Sequence, residues 1–243
     1  MLKKGMALFA AAAITLTTLI PVPTPAEAST TSTRSHIIVS MDRSGTLANM
    51  HGGYVWSNVP DLTSNWSSTN NGRFILKTEW VNINGNGSWI ENGYFEGADM
   101  NSQYYDGFYM AYGIYNGSTL TYSEKKVVGP SKTVGSGHHH HIKYLGDSVT
   151  YWRSTIDNAY QWDVYGFAGD GSHDVGVEAN NSASVFNHTS SNKSAVSNLQ
   201  YYEDGSWKAW NTNAKTIYTD PFNIRVTENW DNTSRTAASW WRI

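Results

Sequence analysis

Glu91 is the residue from which chemistry can be built. It stands in the stretch Trp80-Val81-Asn82-Ile83-Asn84-Gly85-Asn86-Gly87-Ser88-Trp89-Ile90-Glu91-Asn92-Gly93-Tyr94. This reads as strand, turn, strand, because Asn and Gly tolerate the positive φ that a tight hairpin requires. In the second strand, alternation puts Trp89, Glu91, Gly93 and Phe95 on one face. Ser88, Ile90, Asn92, Tyr94 and Glu96 take the other. A carboxylate between two large aromatics, beside a glycine gap, suits a substrate groove. An ordinary exposed sheet face has the same look.

Other chemistries find less support. There is no Gly-x-Ser-x-Gly elbow, no His-Glu-x-x-His and no phosphate-cradling loop. Cysteine is absent, which excludes catalytic thiols, thiolate metal sites and disulfides. Four consecutive histidines, His138 to His141, run into an apolar segment. On a strand they alternate, so at most two face one ion, whereas zinc takes three or four ligands. Asp170-Gly171-Ser172-His173-Asp174 resembles a fragment of a calcium loop but lacks the alternating acidic ligands and terminal Glu. It reads as a turn. We therefore expect no metal site and no cofactor.

Aromatic side chains offer a binding chemistry instead. Rings stack on the apolar faces of pyranoses, and the abundant Asn side chains serve hydroxyls. Exposed candidates are Trp56, Trp66, Tyr104, Tyr105, Tyr201, Tyr202, Trp207 and Trp210. With the rings around the hairpin, the expected binding set is Trp80, Trp89, Tyr105, Tyr112, Trp207 and Trp210. The competing reading is that these rings are core or cross-strand pairs, since Trp and Tyr are favoured in strands.

The elements that must position these residues are strands. Trp, Tyr, Gly, Asn, Ser and Thr are dense, and after residue 29 no apolar period of 3.6 persists over three turns. Phe74, Leu76, Thr78 and Trp80 alternate with Ile75, Lys77, Glu79, Val81 and Ile83. Short apolar runs recur with turn signals between them, which predicts about ten to fourteen strands in an all-β sandwich or barrel. Lys3 and Lys4, an uncharged apolar run to Ile20, and Ala26-Glu27-Ala28 make residues 1–28 a secretory signal peptide. Residues 29–35 read as a disordered polar tail and 36–243 as one domain. The formal charge is −3, with no basic cluster, which argues against nucleic acid and against anionic lipid as partners. A secreted monomer acting on extracellular polysaccharide or polypeptide is expected.

Trp80-Val81-Asn82-Ile83 followed by Trp89-Ile90-Glu91-Asn92-Gly93 resembles the glutamic peptidases, the eqolisins and the neprosins. Those families have a Trp-Val-x-Ile strand, a Gly-rich turn, then Ile/Leu-Gln-x-Gly or Glu-Ala-Gly-Trp. Glu91-Asn92-Gly93-Tyr94 stands nearer the second form. The resemblance continues through Tyr104 to Tyr115 and Leu145-Gly146-Asp147-Ser148-Val149, covering about residues 74–190. It implies a concanavalin-like antiparallel β-sandwich, a jelly roll. It also implies a Glu acting as base and then acid, with a Gln or second Glu holding the water and the oxyanion.

In that family the second Glu lies in a strand of the form Ala-Glu-Trp-Ile. The counterpart here is Ala183-Ser184-Val185-Phe186, which puts Ser184 where the carboxylate belongs. Glu178 and Glu203 are the nearest acidic alternatives. With the pair incomplete, the sequence favours a non-catalytic extracellular binding protein on this fold. The alternative is an acid-acting glutamic-type endopeptidase using Glu91 and a second carboxylate.

Overall fold

The alternation along Phe74–Ile83 sets the architecture, because one of its faces packs against the second sheet and the other contributes to an apolar cluster within its own sheet. The computed structural model describes residues 35–41, 50–64, 66, 74–83, 87–146, 151–166, 169–180, 185–210, 214–219, 226–230 and 236–242. The signal-peptide stretch, the tail through residue 34 and the Asn84-Gly85-Asn86 turn lie outside them, as do Ala183 and Ser184.

Every regular element among the described residues is a strand. The first nine are β1 (Ser35–Met41), β2 (Met50–Asn58), β3 (Leu62–Thr63), β4 (Phe74–Ile83), β5 (Trp89–Ala98), β6 (Tyr104–Asn116), β7 (Thr119–Val127), β8 (Gly137–Tyr144) and β9 (Tyr151–Ile156). There follow β10 (Tyr160–Tyr165), β11 (Gly171–Ala179), β12 (Val185–Phe186), β13 (Ser194–Glu203), β14 (Ser206–Ala209), β15 (Ala214–Thr219), β16 (Val226–Trp230) and β17 (Ala238–Arg242). Seventeen strands exceed the expected ten to fourteen. The two-residue β3 and β12 are too short to carry a period, and β17 is a Trp-rich stretch that sequence patterning passed over.

One sheet has seven strands in the order β15-β1-β11-β4-β5-β6-β7. The other has eight, β10-β9-β8-β2-β13-β17-β16 with β14 paired to β13. The paired strands of both sheets are antiparallel. The result is the antiparallel β-sandwich that the sequence implied.

Two hydrophobic clusters join the sheets. Ile37, Val39, Ile75, Val175 and Val177 of the first meet Val55, Val196, Leu199 and Trp240 of the second. Val81, Ile83 and Ile90 meet Ile142, Trp152 and Val164. A third cluster comes entirely from the seven-stranded sheet: Ile38, Phe74, Leu76, Trp80, Trp89, Phe95, Tyr109 and Ala111. These residues fall on the alternate positions, so they form the outer face of that sheet.

The inner face of β4 carries Lys77 and Glu79 into the sandwich, where both are buried. Lys77 survives there because its Nζ donates to Asn58 O at 3.0 Å, Asn58 Oδ1 at 2.7 Å, Ser194 Oγ at 2.8 Å and Ala195 O at 2.8 Å. Burial pushes its pKa well down, and these oxygens oppose that by favouring the ammonium. Glu79 accepts from His173 Nε2 at 3.1 Å, and Trp210 Nε1 donates to His173 Nδ1 at 3.1 Å. Burial drives the Glu79 carboxyl well above the usual range and His173 down to about 3.

The four histidines lie in β8 and alternate as expected. His138 and His140 are buried, while His139 faces solvent. His138 Nδ1 sits 2.7 Å from Asp157 Oδ2, and His140 Nδ1 2.7 Å from Asn92 Oδ1.

Candidate active site

Glu91 lies on the outer face of the seven-stranded sheet, in β5. In register it stands opposite Trp80 of β4 on one side and Ala111 of β6 on the other. Trp80 in turn stands opposite Asp174 of β11, and Asp174 opposite Ser40 of β1. One line therefore crosses the sheet as Ser40, Asp174, Trp80, Glu91, Ala111. All five side chains share the outer face.

Asp174 is the acidic residue that the sequence reading missed as a partner for Glu91. The turn expected at Gly169-Asp170-Gly171 gives way to strand sooner than its residues suggest, and the weak strand expected at Asp174 to Glu178 is part of a longer one: β11 begins at Gly171. Its alternation was available in the sequence. Ser172, Asp174, Gly176 and Glu178 point out, and His173, Val175, Val177 and Ala179 point in. Asp174 stands on β11 opposite Trp80. Val185 and Phe186 instead pair with β3 in a separate two-stranded ribbon.

The Asp174 carboxylate is held on both oxygens. Ser40 Oγ donates a short hydrogen bond to Oδ1, and Asn82 Nδ2 donates to Oδ2 at 2.8 Å. Donors on both oxygens favour the ionised form. Glu91 has a different setting, between the indoles of Trp80 across the strand pair and Trp89 two residues away. Both indoles are fully buried. Both carboxyls are buried, and Asp174 has a donor on each oxygen.

Tyr109 of β6 closes one side of the line. Its hydroxyl is buried, and burial, then the charge of Glu91 and more weakly that of Glu178, push its pKa well above the ordinary phenol value. The Thr78 hydroxyl donates to Asn92 O at 2.6 Å and packs under Gly93. On the other side Trp89 lies across Gly113, where a Cβ would fall 2.1 Å from the indole. Trp89 also meets Tyr115 and Tyr122, each at 6.4 Å between ring centroids.

The remaining candidates scatter. Glu178 shares the outer face but stands opposite Leu76, four residues along β11 from Asp174. At ~3.4 Å per residue that is roughly 13 Å further along the strand, too far to share one water with Glu91. Glu203 lies in the other sheet and pairs with Lys208 Nζ at 2.7 Å. Among the rings, Trp80 and Trp89 flank Glu91. Tyr105 lies toward the end of the same face, its hydroxyl donating to Phe108 O at 2.6 Å. Tyr112 points the other way and packs on Trp162 at 5.1 Å. Trp210 is core, and Trp207 lies half-buried on the second sheet. The six rings thus form no single row. Among the described residues, no three His, Asp or Glu side chains stand in an arrangement that holds a metal ion.

No family model matches the chain, and no curated protein matches it. Among solved structures it is similar to a crystal structure of scytalido-glutamic peptidase with a transition-state-analogue inhibitor. The TM-score is 0.52 at 10% identity, covering 87% of this chain and 98% of the other. At that identity the likeness is one of fold, and the fold is glutamic-peptidase-like.

Proposed function

We propose that this protein is an exported, acid-acting endopeptidase whose working pair is Asp174 and Glu91. The observation that carries the reading is their shared line across β11, β4 and β5, flanking Trp80 on one face. Two strand spacings separate their Cα atoms by roughly 10 Å, a gap that converging carboxyl side chains and one water span. The likeness in fold to a glutamic peptidase supports the same reading, as does the signal-peptide pattern of residues 1–28.

In this reading the two carboxyls divide the work. Ionised Asp174 takes a proton from the water between the pair, and the oxygen attacks the scissile carbonyl. Neutral Glu91 donates a hydrogen bond to the oxygen on which negative charge develops. The tetrahedral centre then collapses, the C–N bond breaks, and the proton held by Asp174 passes to the leaving amine. Ser40 and Asn82 keep the Asp174 carboxylate aimed through the cycle.

The test is cleavage of an unfolded protein substrate from about pH 2.5 to 7, the range that brackets carboxylate titration. Asp174→Asn and Glu91→Gln are run beside the parent. Acid-optimal cleavage that both substitutions reduce by ~100-fold or more supports the pair. Absence of cleavage by folded protein at every pH, or cleavage unchanged in both variants, overturns it.

A further inference from the structure

The outer face of the eight-stranded sheet carries rings where an antiparallel sandwich ordinarily turns polar side chains to water. In register, Tyr54 of β2 stands opposite His141 of β8, Trp56 opposite His139, and Tyr202 of β13 opposite Trp207 of β14. Trp207 is the hub. Its ring centroid lies 6.0 Å from Tyr54, 5.0 Å from His141 and 5.1 Å from Tyr202. Tyr54 is further fixed by a 2.5 Å hydrogen bond to His139 Nδ1. Trp56 lies across Gly137, where a Cβ would fall 1.7 Å from the indole. These rings are half-buried, held by their neighbours with part of each surface left to solvent.

Lys143 gives the face its charge. Its Nζ sits 3.9 Å from the Tyr202 ring centroid, and among the described residues it has no carboxylate partner. Beside it opens a cleft of about 240 Å³ lined by His51, Lys143, Tyr144, Leu145, Gly146 and Tyr202. The next cation along the sheet, Arg153, is already taken by Asp163 at 2.7 Å.

We infer that this face binds a carboxylated polysaccharide, with sugar rings stacked on Trp207 and Tyr54 and a uronate carboxylate at Lys143, whose ammonium the Tyr202 ring holds in place. Rigid rings lose little side-chain freedom on binding, and sugar C–H faces match them. Gln200, in line with Tyr54, offers amide donors and acceptors to hydroxyls. The unpaired ammonium beside the stacking ring selects the carboxylate. The chain's formal charge of −3 opposes unspecific capture of a polyanion, so retention has to come from a local site. This site lies on the opposite sheet from Asp174 and Glu91 and is independent of them.

The experiment is affinity electrophoresis of the purified protein in gels holding polygalacturonate, its fully methyl-esterified form, or neutral xylan. Retardation by polygalacturonate is expected to exceed that by the other two. Lys143→Gln is expected to weaken it about fivefold, the scale of one cation contact, and Trp207→Ala about tenfold. Lys193→Gln, whose Nζ lies over Trp241 at 4.1 Å away from the cleft, leaves it unchanged, as does Asp174→Asn. Tyr202→Leu serves if Trp207→Ala loses its near-ultraviolet circular dichroism. No retardation of folded parent protein overturns the inference. So does equal retardation by the esterified polymer, or by the Lys143→Gln variant.

Discussion

Glu91 and Asp174 stand in one line across three strands with Trp80 between them. Glu178 is on the same face and equally buried, but it belongs to a line that runs through Leu76. Position rather than acidity separates the two candidates on β11. Asp174→Asn is therefore expected to cost ~100-fold or more in kcat, and Glu178→Gln only about threefold. Steady-state cleavage of one peptide substrate measures both, and a larger loss at Glu178 would reverse the assignment.

Ser40 and Asn82 act through Asp174. Removing the Ser40 hydroxyl takes away one of the hydrogen bonds that favour the ionised carboxylate. Protonation of Asp174 then occurs at higher pH, and the base form is lost sooner on acidification. Ser40→Ala is expected to move the acid limb of the kcat profile upward while changing KM little. Ser40→Thr, which keeps the hydroxyl, is expected to restore the limb. A uniform fall in rate at all pH values would mark a packing effect instead.

Acidity also acts on the fold. Burial first, then the charges of His138 and Lys77, push His140 down to about 3. In the unfolded chain a histidine titrates near its ordinary value of ~6.5. The folded form stays neutral where the unfolded form takes up a proton. This contribution to stability is complete above about pH 6.5 and is lost as pH falls from there toward 3. Between pH 4 and 6, His140→Gln should flatten the slope of unfolding free energy against pH by ~1.4 kcal/mol per unit, one proton's worth. Urea denaturation at three pH values reads the slope, and an unchanged slope would reject the buried neutral histidine.

Lys77 is costly to lose from the interior. Lys77→Met fills much the same space but strips Asn58 O and Ala195 O of the ammonium donor, while Asn58 Oδ1 keeps the Ser194 hydroxyl and the Ala195 N–H. We expect a loss of about 3 kcal/mol, since each buried acceptor left without a partner costs of the order of 1–3 kcal/mol. A shift in the urea midpoint without a change in m-value is the signature to look for.

The sandwich and the face of Glu91 were legible because both rest on local periodicity. Alternation along β4 and β5 needs no knowledge of what lies opposite. The histidines of β8 were legible for the same reason. Asp174 was legible only as the start of a weak strand; its place in line with Glu91 depends on pairing with β4 and β1, which no local pattern announces. Lys77 and Glu79 followed the period and landed in the interior, where Asn58 and His173 receive them. Those partners come from β2 and β11, and no local pattern announces them. The rings divided by face, which alternation tracks, and by sheet, which it does not.

Ser40 and Asp174 are 134 residues apart in sequence, and β11 slots between β1 and β4. Contacts of that span form late and slowly, after the local hairpins β4–β5 and β5–β6. A chain still emerging from the ribosome therefore carries Glu91 in a hairpin with no partner acid beside it. The carboxylate pair comes into being only when the last central strand docks. The order of assembly itself keeps the two acids apart until β11 closes the sheet.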